Sequence, residues 1–403
     1  MIKRGNLQSE LNQYQVIRLL RNRGHVTRPE LVRETGLSRP TIDKIVELYK
    51  GERIIRETGT VDGSSRGGRR PVVLSLDGST KVLIGIDFEC PRLEMVMTDL
   101  GSTIIDCRVR NYGPGSQSEK IVDRLIVDIR EMLRRNGRTT DELLGIGVAL
   151  PGVVDVRSGI SLNIERLRNW NNVPLSRLIG SSIGVPVFID NDVNLMALAE
   201  KNLGPAEIPN NLIYVAQRQG IGAGILIDGQ IFRGNLGNAG FLGHTSINPQ
   251  GAKCKCGNQG CLELYAGEHA VAEQFRRKRK HGPASDPVPS EHISAHDVYE
   301  AAARQDPAAI GVLYDAGGIL GIGIANMICL FDINHVILGG DSAKAGESFC
   351  RGVKDSINRR LEPAFRTNME LRFSTVNEHA AALGATLLVQ EDVFGAPELA
   401  AHL

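Results

Sequence analysis

Gly243–Glu263, GHTSINPQGAKCKCGNQGCLE, sets one histidine and three cysteines, His244, Cys254, Cys256 and Cys261, within eighteen residues. Thiolate sulfur and imidazole nitrogen are the donors a tetrahedral zinc prefers, and four of them close a site with no open position. A closed site is structural. The C-x-C-x4-C spacing lacks the paired arms of a zinc finger that reads DNA. Nor do these read as small buried hydrophobes, because Lys253, Lys255, Asn258 and Gln259 interleave them. The sequence predicts a loop too poor in apolar residues to hold itself, stapled by a structural Zn2+.

Outward from the loop, 403 residues are too many for one ordinary domain. Hydrophobic residues at 42% and charged residues at 23% describe a globular protein rather than a disordered or membrane chain. Seven cysteines, an odd number, leave Cys90, Cys107, Cys329 and Cys350 scattered outside the loop. No disulfide framework is expected, and the setting is a reducing cytoplasm. The opening MIKRGNLQSE has no apolar core of a signal peptide. The apolar run Gly317–Phe331 is broken by glycines and reads as a buried helix, too short to span a bilayer.

The net charge of +1 hides an asymmetry. Residues 1–80 carry 15 Lys and Arg against 9 Asp and Glu, and the remainder 32 against 37. A basic head on an acidic body suggests that the head meets a polyanion. Its pattern says which. Leu11–Arg23 carries a helical apolar stripe. Thr27, Pro29 and Glu30 then signal a helix start, and Gly36 a stop. Ser38 caps a further helix with Ile42, Ile45, Val46 and Leu48 on one face. Two short helices joined by Thr35–Ser38 make a helix-turn-helix, whose second helix offers Ser38, Arg39, Thr41 and Lys44, with Arg28 at the start of the first, to DNA. Short apolar segments at Ile54–Ile55 and Val72–Leu74 flank a glycine-rich tip bearing Arg66, Arg69 and Arg70, which describes a wing that reaches phosphates or a minor groove. One copy reads only a half-site, so a homodimer or homotetramer on a pseudo-palindromic double-stranded operator is implied.

The body alternates strands and helices. Lys81–Cys90, Leu93–Thr98 and Thr103–Val109 read as strands, followed by a helix around Ile121–Leu133 and a strand at Leu144–Leu150. The succession begins again near Asn211, which predicts an α/β protein of two related lobes around a cleft. Three segments are expected: 1–78, the winged helix-turn-helix; 79–190, a first lobe completed by a C-terminal helix 378–395; and 191–377, a second lobe carrying the loop 243–263.

The Gly243-His244 pair before the cysteines, the Pro151-Gly152 turn, Asp190–Asn194 (DNDVN) and the Gly339-Gly340 strand end resemble the ROK family of repressors and sugar kinases. The head, with its Gly67–Pro71 tail, is similar to that of the repressor branch, the xylose and N-acetylglucosamine repressors. The resemblance implies a two-lobed, actin-like (ribonuclease H-like) sugar-kinase fold with a zinc loop and a sugar effector in the cleft. It matches Asn191, Asp192, His244 and Glu263 to sugar-contacting positions, with Asn163 as a further contact, and Asp192 to the kinases' catalytic base. One position departs: the family's glutamate three residues before the histidine is Phe241, which can stack on a sugar but cannot accept from its hydroxyls.

The family's kinases wrap ATP phosphates in an Asp-x-Gly-Gly-Thr-Lys turn, where glycine backbone donors do the holding. The matching stretch is Asp87-Phe88-Glu89-Cys90-Pro91-Arg92, with both glycines and the threonine gone. Pro91 has no N–H to give, and Glu89 sets a negative charge against phosphate. The second phosphate turn, Arg218–Gly224 (RQGIGAG), is partly kept. Phosphoryl transfer is almost wholly positioning and charge stabilisation, so Asp192 is expected to be a vestigial base. The sequence thus predicts a sugar-responsive transcriptional repressor, not an enzyme; the alternative is an active sugar kinase with an added DNA-binding head.

Overall fold

The computed structural model describes residues 7–60, 70–78, 80–89, 91–112, 117–164, 167, 169–281, 293–376 and 378–394. Arg66, Arg69 and Cys90 lie outside them, as does most of the polar, proline-bearing excursion after Lys278. The chain forms two compact units, Met1–Leu195 with His379–Leu403, and Met196–Glu378.

The first unit opens with α1 (Leu7–Arg23), β1 (Val26–Thr27) and α2 (Arg28–Thr35). Thr27 and Glu30 close a capping box: the Glu30 N–H donates to Thr27 Oγ1 at 3.4 Å, and the Thr27 N–H to Glu30 Oε2 at 2.8 Å. Gly36, at φ 69°, ends α2 in the left-handed conformation that glycine adopts without strain. Ser38 then caps α3 (Arg39–Gly51), accepting from the Thr41 N–H at 3.3 Å. Ile42, Ile45, Val46 and Tyr49 form its buried face, while Leu48, expected there, is exposed. β2 (Ile55–Thr60) and β3 (Val72–Leu76) pair antiparallel, and β1 joins on the far side of β3.

β4 (Val82–Asp87), β5 (Arg92–Asp99) and β6 (Ile104–Asn111) form an antiparallel meander. α4 (Ser118–Arg135) covers the sheet with Ile121, Leu125, Ile129 and Met132, spaced along one face. It delivers β7 (Leu143–Leu150), parallel to β4. A small sheet of β8 (Val153–Asp155), β9 (Ile160–Asn163) and β10 (Asn171–Val173) follows, then α5 (Leu175–Ile183) and β11 (Val187–Asn191), parallel to β7. α6 (Asp192–Leu203) starts in the first unit and ends in the second.

The second unit repeats the plan. β12 (Leu212–Gln217), β13 (Ile221–Ile227) and β14 (Gln230–Ile231) are antiparallel. After the cysteine loop come α7 (Glu263–Ala266), α8 (Glu268–His281), α9 (Ala295–Ala303) and α10 (Pro307–Phe331). β15 (His335–Gly340), α11 (Ser342–Arg360) and β16 (Glu370–Phe373) complete it. The strand orders β6-β5-β4-β7-β11 and β14-β13-β12-β15-β16 are one order written twice, three antiparallel strands continued by two parallel ones. α10 corrects the reading of Gly317–Phe331. Asp306 caps it through the Ala308 and Ala309 N–H groups, so the helix has 25 residues and is long and apolar enough to cross a bilayer. Its residues Val312, Leu313, Ala316, Leu320 and Ile324 lie instead in the core of the second unit.

α12 (Ala380–Phe394) returns to the first unit and lies on β4 and β7. A methyl group on Gly147 would collide with the Ala385 carbonyl, so the helix backbone seats directly on the sheet. Its other side meets the head. Val389 and Phe394 share an apolar cluster with Val16, Leu20, Ile45 and Tyr49. The Tyr49 and Phe394 rings meet edge to face at 5.9 Å, and Arg21 Nη1 donates to Gln390 Oε1 at 3.4 Å.

Candidate functional site

The cysteine loop is built from polar parts. Leu242–His244 form a single 3-10 turn, and isolated bridges tie Ser246 to Cys261 and Lys253 to Gln259. The Cys254 N–H donates to Asn258 O at 2.8 Å, Asn258 Nδ2 to His244 O at 3.0 Å, and Gln259 Nε2 to Gly251 O at 2.7 Å. These bonds bring His244, Cys254, Cys256 and Cys261 together, with their ligand atoms all within 4.8 Å of one another. Cys256 Sγ lies 3.6 Å from Cys261 Sγ, and Cys254 Sγ lies 3.8 Å from His244 Nδ1. A tetrahedron with metal–sulfur bonds of about 2.3 Å has edges of about 3.8 Å, so the donor set fits a zinc-class ion. Burial and the neighbouring thiols push Cys261 up to about 12, burial raises Cys254, and the Asn258 N–H lowers Cys256.

Glu263 stands beside this cluster, Oε1 at 3.3 Å from His244 Nδ1 and 3.5 Å from Cys254 Sγ. A Cβ on Gly220 or Gly243 would lie 3.4 or 3.3 Å from Oε2, which puts both backbone positions against the same carboxylate. Phe241 lies nearly parallel to the His244 imidazole, centroids 6.2 Å apart at 23°. The residue that replaces the family's glutamate therefore packs on the histidine.

The other sugar candidates belong to the first unit. Asn191 closes β11, and its Nδ2 reaches the Leu150 and Gly152 carbonyls at 3.5 and 3.4 Å. Its Oδ1 accepts from the Val193 N–H at 3.1 Å, in the manner of a helix cap. Asp192 is the first residue of α6, 9% exposed, its Oδ1 2.9 Å from the same N–H. Asp190 is buried beneath them and accepts from Asn194 Nδ2 at 2.9 Å. Asn163 ends β9, exposed, its carbonyl against Gly152. Asn163 and Asn191 thus flank one Pro-Gly turn beside Asp192, while His244 and Glu263 pair in the second unit. Trp170 is a core residue, 1% exposed, packed on Phe88 at 5.0 Å and donating to Ser161 Oγ at 2.9 Å.

Sequence reasoning passed over Glu200. It is fully buried on α6, where Ser374 Oγ donates to it at 2.6 Å, and the Thr375 and Val376 N–H groups at 3.1 Å. An acidic residue among Met196, Ala197, Leu198 and Ala199 was the available signal.

In the stretch expected to match the kinases' first phosphate turn, Phe88 is buried and its N–H is spent on Ala149 O at 2.9 Å. The Pro91 carbonyl accepts from the Tyr112 N–H at 2.8 Å. At the head, Ser38, Arg39 and Lys44 are exposed, Thr41 is half-buried, and Arg70 is exposed where β3 is about to begin. Arg28, another of the expected DNA contacts, is held in ion pairs. Its guanidinium is 3.2 Å from Asp43, 2.9 Å from Glu47 and 3.4 Å from Glu57, so it knits α2 to α3 and β2.

Comparison with known proteins agrees with this architecture. The family described as the ROK family matches residues 83–392. A xylose repressor from Caldicellulosiruptor bescii is 30% identical over 397 residues, covering 98% of this chain and 99% of that protein. The crystal structure of a ROK family transcriptional regulator, a homologue of the Escherichia coli MLC protein, superimposes with a TM-score of 0.86 at 28% identity, covering 97% of this chain and 98% of that one. A ROK family glucokinase from Streptomyces griseus, solved with glucose and AMPPNP, gives 0.69 at 25% identity, covering 77% of this chain and 99% of that one.

Proposed function

Because the chain belongs to the ROK family, with its α/β sugar-kinase body, we propose that it is a sugar-responsive transcriptional repressor of carbohydrate genes. One observation carries this reading: a capped recognition helix with Ser38, Arg39 and Lys44 exposed is packed, through α12, against a body of the sugar-kinase type. Ser38, Arg39, Thr41, Lys44 and Arg70, with Arg66 and Arg69 of the wing, contact the operator; Arg28 supports them. The protein works in the cytoplasm as a homodimer or homotetramer, one head per half-site.

The effector is a sugar or glycoside, and the candidate contacts for it are Asn163, Asn191, Asp192, His244 and Glu263. An imidazole has two nitrogens on opposite edges, so His244 can give Nδ1 to zinc and Nε2 to a hydroxyl. Zinc on His244, Cys254, Cys256 and Cys261 supplies a structural staple that orients this imidazole. Sugar shifts the head only by its differential affinity for two states of the body.

The kinase alternative is favoured by the glucokinase likeness and by Gly220 and Asp192. Against it stand Glu89, a negative charge where the kinases have glycine, and Pro91, which has no N–H to give. The experiment is fluorescence anisotropy on the protein's own promoter across a carbohydrate panel, beside a coupled assay for ATP turnover. A sugar that alters DNA affinity without ATP turnover is expected. DNA binding indifferent to every sugar, or hexose phosphorylation at kinase rates, overturns the reading.

A further inference from the structure

Far from the cysteine loop in sequence, three potential ligands from three elements converge in the first unit. Glu94 comes from β5, Cys107 from β6 and His379 from the residue before α12. His379 Nδ1 lies 2.9 Å from Glu94 Oε1, and Cys107 Sγ lies 3.9 Å from that oxygen and 4.0 Å from Nδ1. We infer that Glu94, Cys107 and His379 form a second metal site, for a borderline divalent cation of the zinc class.

The donor set selects the ion. One thiolate, one imidazole and one carboxylate suit zinc and cobalt, whereas magnesium and calcium want oxygen alone. At zinc bond lengths a tetrahedron has edges of about 3.4 Å between nitrogen and oxygen and about 3.6 Å to sulfur. The observed separations need shifts of only a few tenths of an ångström to meet these.

The register accounts for the convergence. Glu94 faces Val109 and Cys107 faces Val96, so the two are diagonal neighbours across β5 and β6. His379 adopts φ 59°, in the left-handed region, and its carbonyl accepts from the Leu383 N–H at 2.7 Å. Glu94 is 3% exposed, and a buried carboxylate needs cationic company. Arg92 Nη2, at 2.8 Å from Oε1, supplies part of it. With three protein ligands the fourth position goes to water, and His379, 26% exposed, leaves room for one. An ion here fastens the start of α12 to the edge of the sheet.

The test uses the full-length chain, stripped of metal and reloaded with Zn2+. Cys107→Ser and His379→Gln are each expected to lower bound zinc by one equivalent, and Cys256→Ser reports the loop separately. Unchanged stoichiometry in both variants overturns the site, whatever the loop holds. A readout without substitution guards against misfolding. Zn2+ is expected to slow iodoacetamide labelling of Cys107 in the wild-type chain at least tenfold, followed by peptide mapping. Equal labelling with and without Zn2+ also overturns the site.

Discussion

The two five-stranded sheets share one strand order and differ in what fastens them. The first is closed by α12, whose backbone sits on Gly147 and whose residues are almost all buried. The second carries on its margin a loop of lysines, asparagines and glycines, held by hydrogen bonds and by four potential metal donors. The first meets a helix through direct backbone contact, and the second bears a loop whose donors could hold a metal ion. Duplicated architecture fixes the scaffold, and the chemistry resides in connections that have diverged.

The largest expected break in that comparison is Gly147→Val. With the Ala385 carbonyl in the way, the first unit should lose about 3 kcal/mol or more in urea unfolding. A variant that unfolds with the wild type would show that α12 is not seated there. Next comes the metal. Chelation, or Cys256→Ser, should cost about 3 kcal/mol at a hundredfold excess of ion over its dissociation constant. Trp170, in the first unit, should keep its native emission, and a matching shift in that emission would erase the contrast. Because burial and neighbouring thiols hold the Cys261 proton up to about 12, ion uptake must displace it, so affinity should fall as pH falls.

Smaller effects sharpen the division of labour. Asp192→Asn should weaken sugar binding at least tenfold by calorimetry and leave sugar-free operator affinity unchanged; intact sugar binding removes Asp192 from the site. Arg39→Ala should cost about 1 kcal/mol in operator binding and lower the salt slope by about 1. No change in either would take Arg39 off the phosphates. Least of all, Glu30→Ala should cost about 0.5 kcal/mol of stability. Hydrogen bonds from Thr27 hold the Glu30 carboxyl below its usual value. Its contribution is therefore present above the unfolded value and lost as pH falls through the folded one. A wild-type-minus-variant difference that grows in acid contradicts the capping box.

Much of this was legible because the signals are local. Thr27 with Glu30, Gly36 and Ser38 each state a helix boundary through their own side chain or backbone. The metal loop could be read because its donors lie within eighteen residues. What escaped depends on distant partners. The ion pairs of Arg28 reach Asp43, Glu47 and Glu57 on other elements, which its own neighbours in sequence do not announce. Glu200 is explained only by a turn 174 residues away. Glu94 and His379 share no spacing a reader could notice, since sheet register and a helix start bring them together.

The placement of α12 also bears on synthesis. A ribosome makes the operator-reading head first, yet Val16, Leu20, Ile45 and Tyr49 wait for Val389 and Phe394, which emerge after the whole second unit. Through most of translation the nascent head has Leu83 and Leu100 for its apolar face but lacks the rest of its cover. A messenger truncated before Ala380 would therefore release a chain whose head has lost part of its footing.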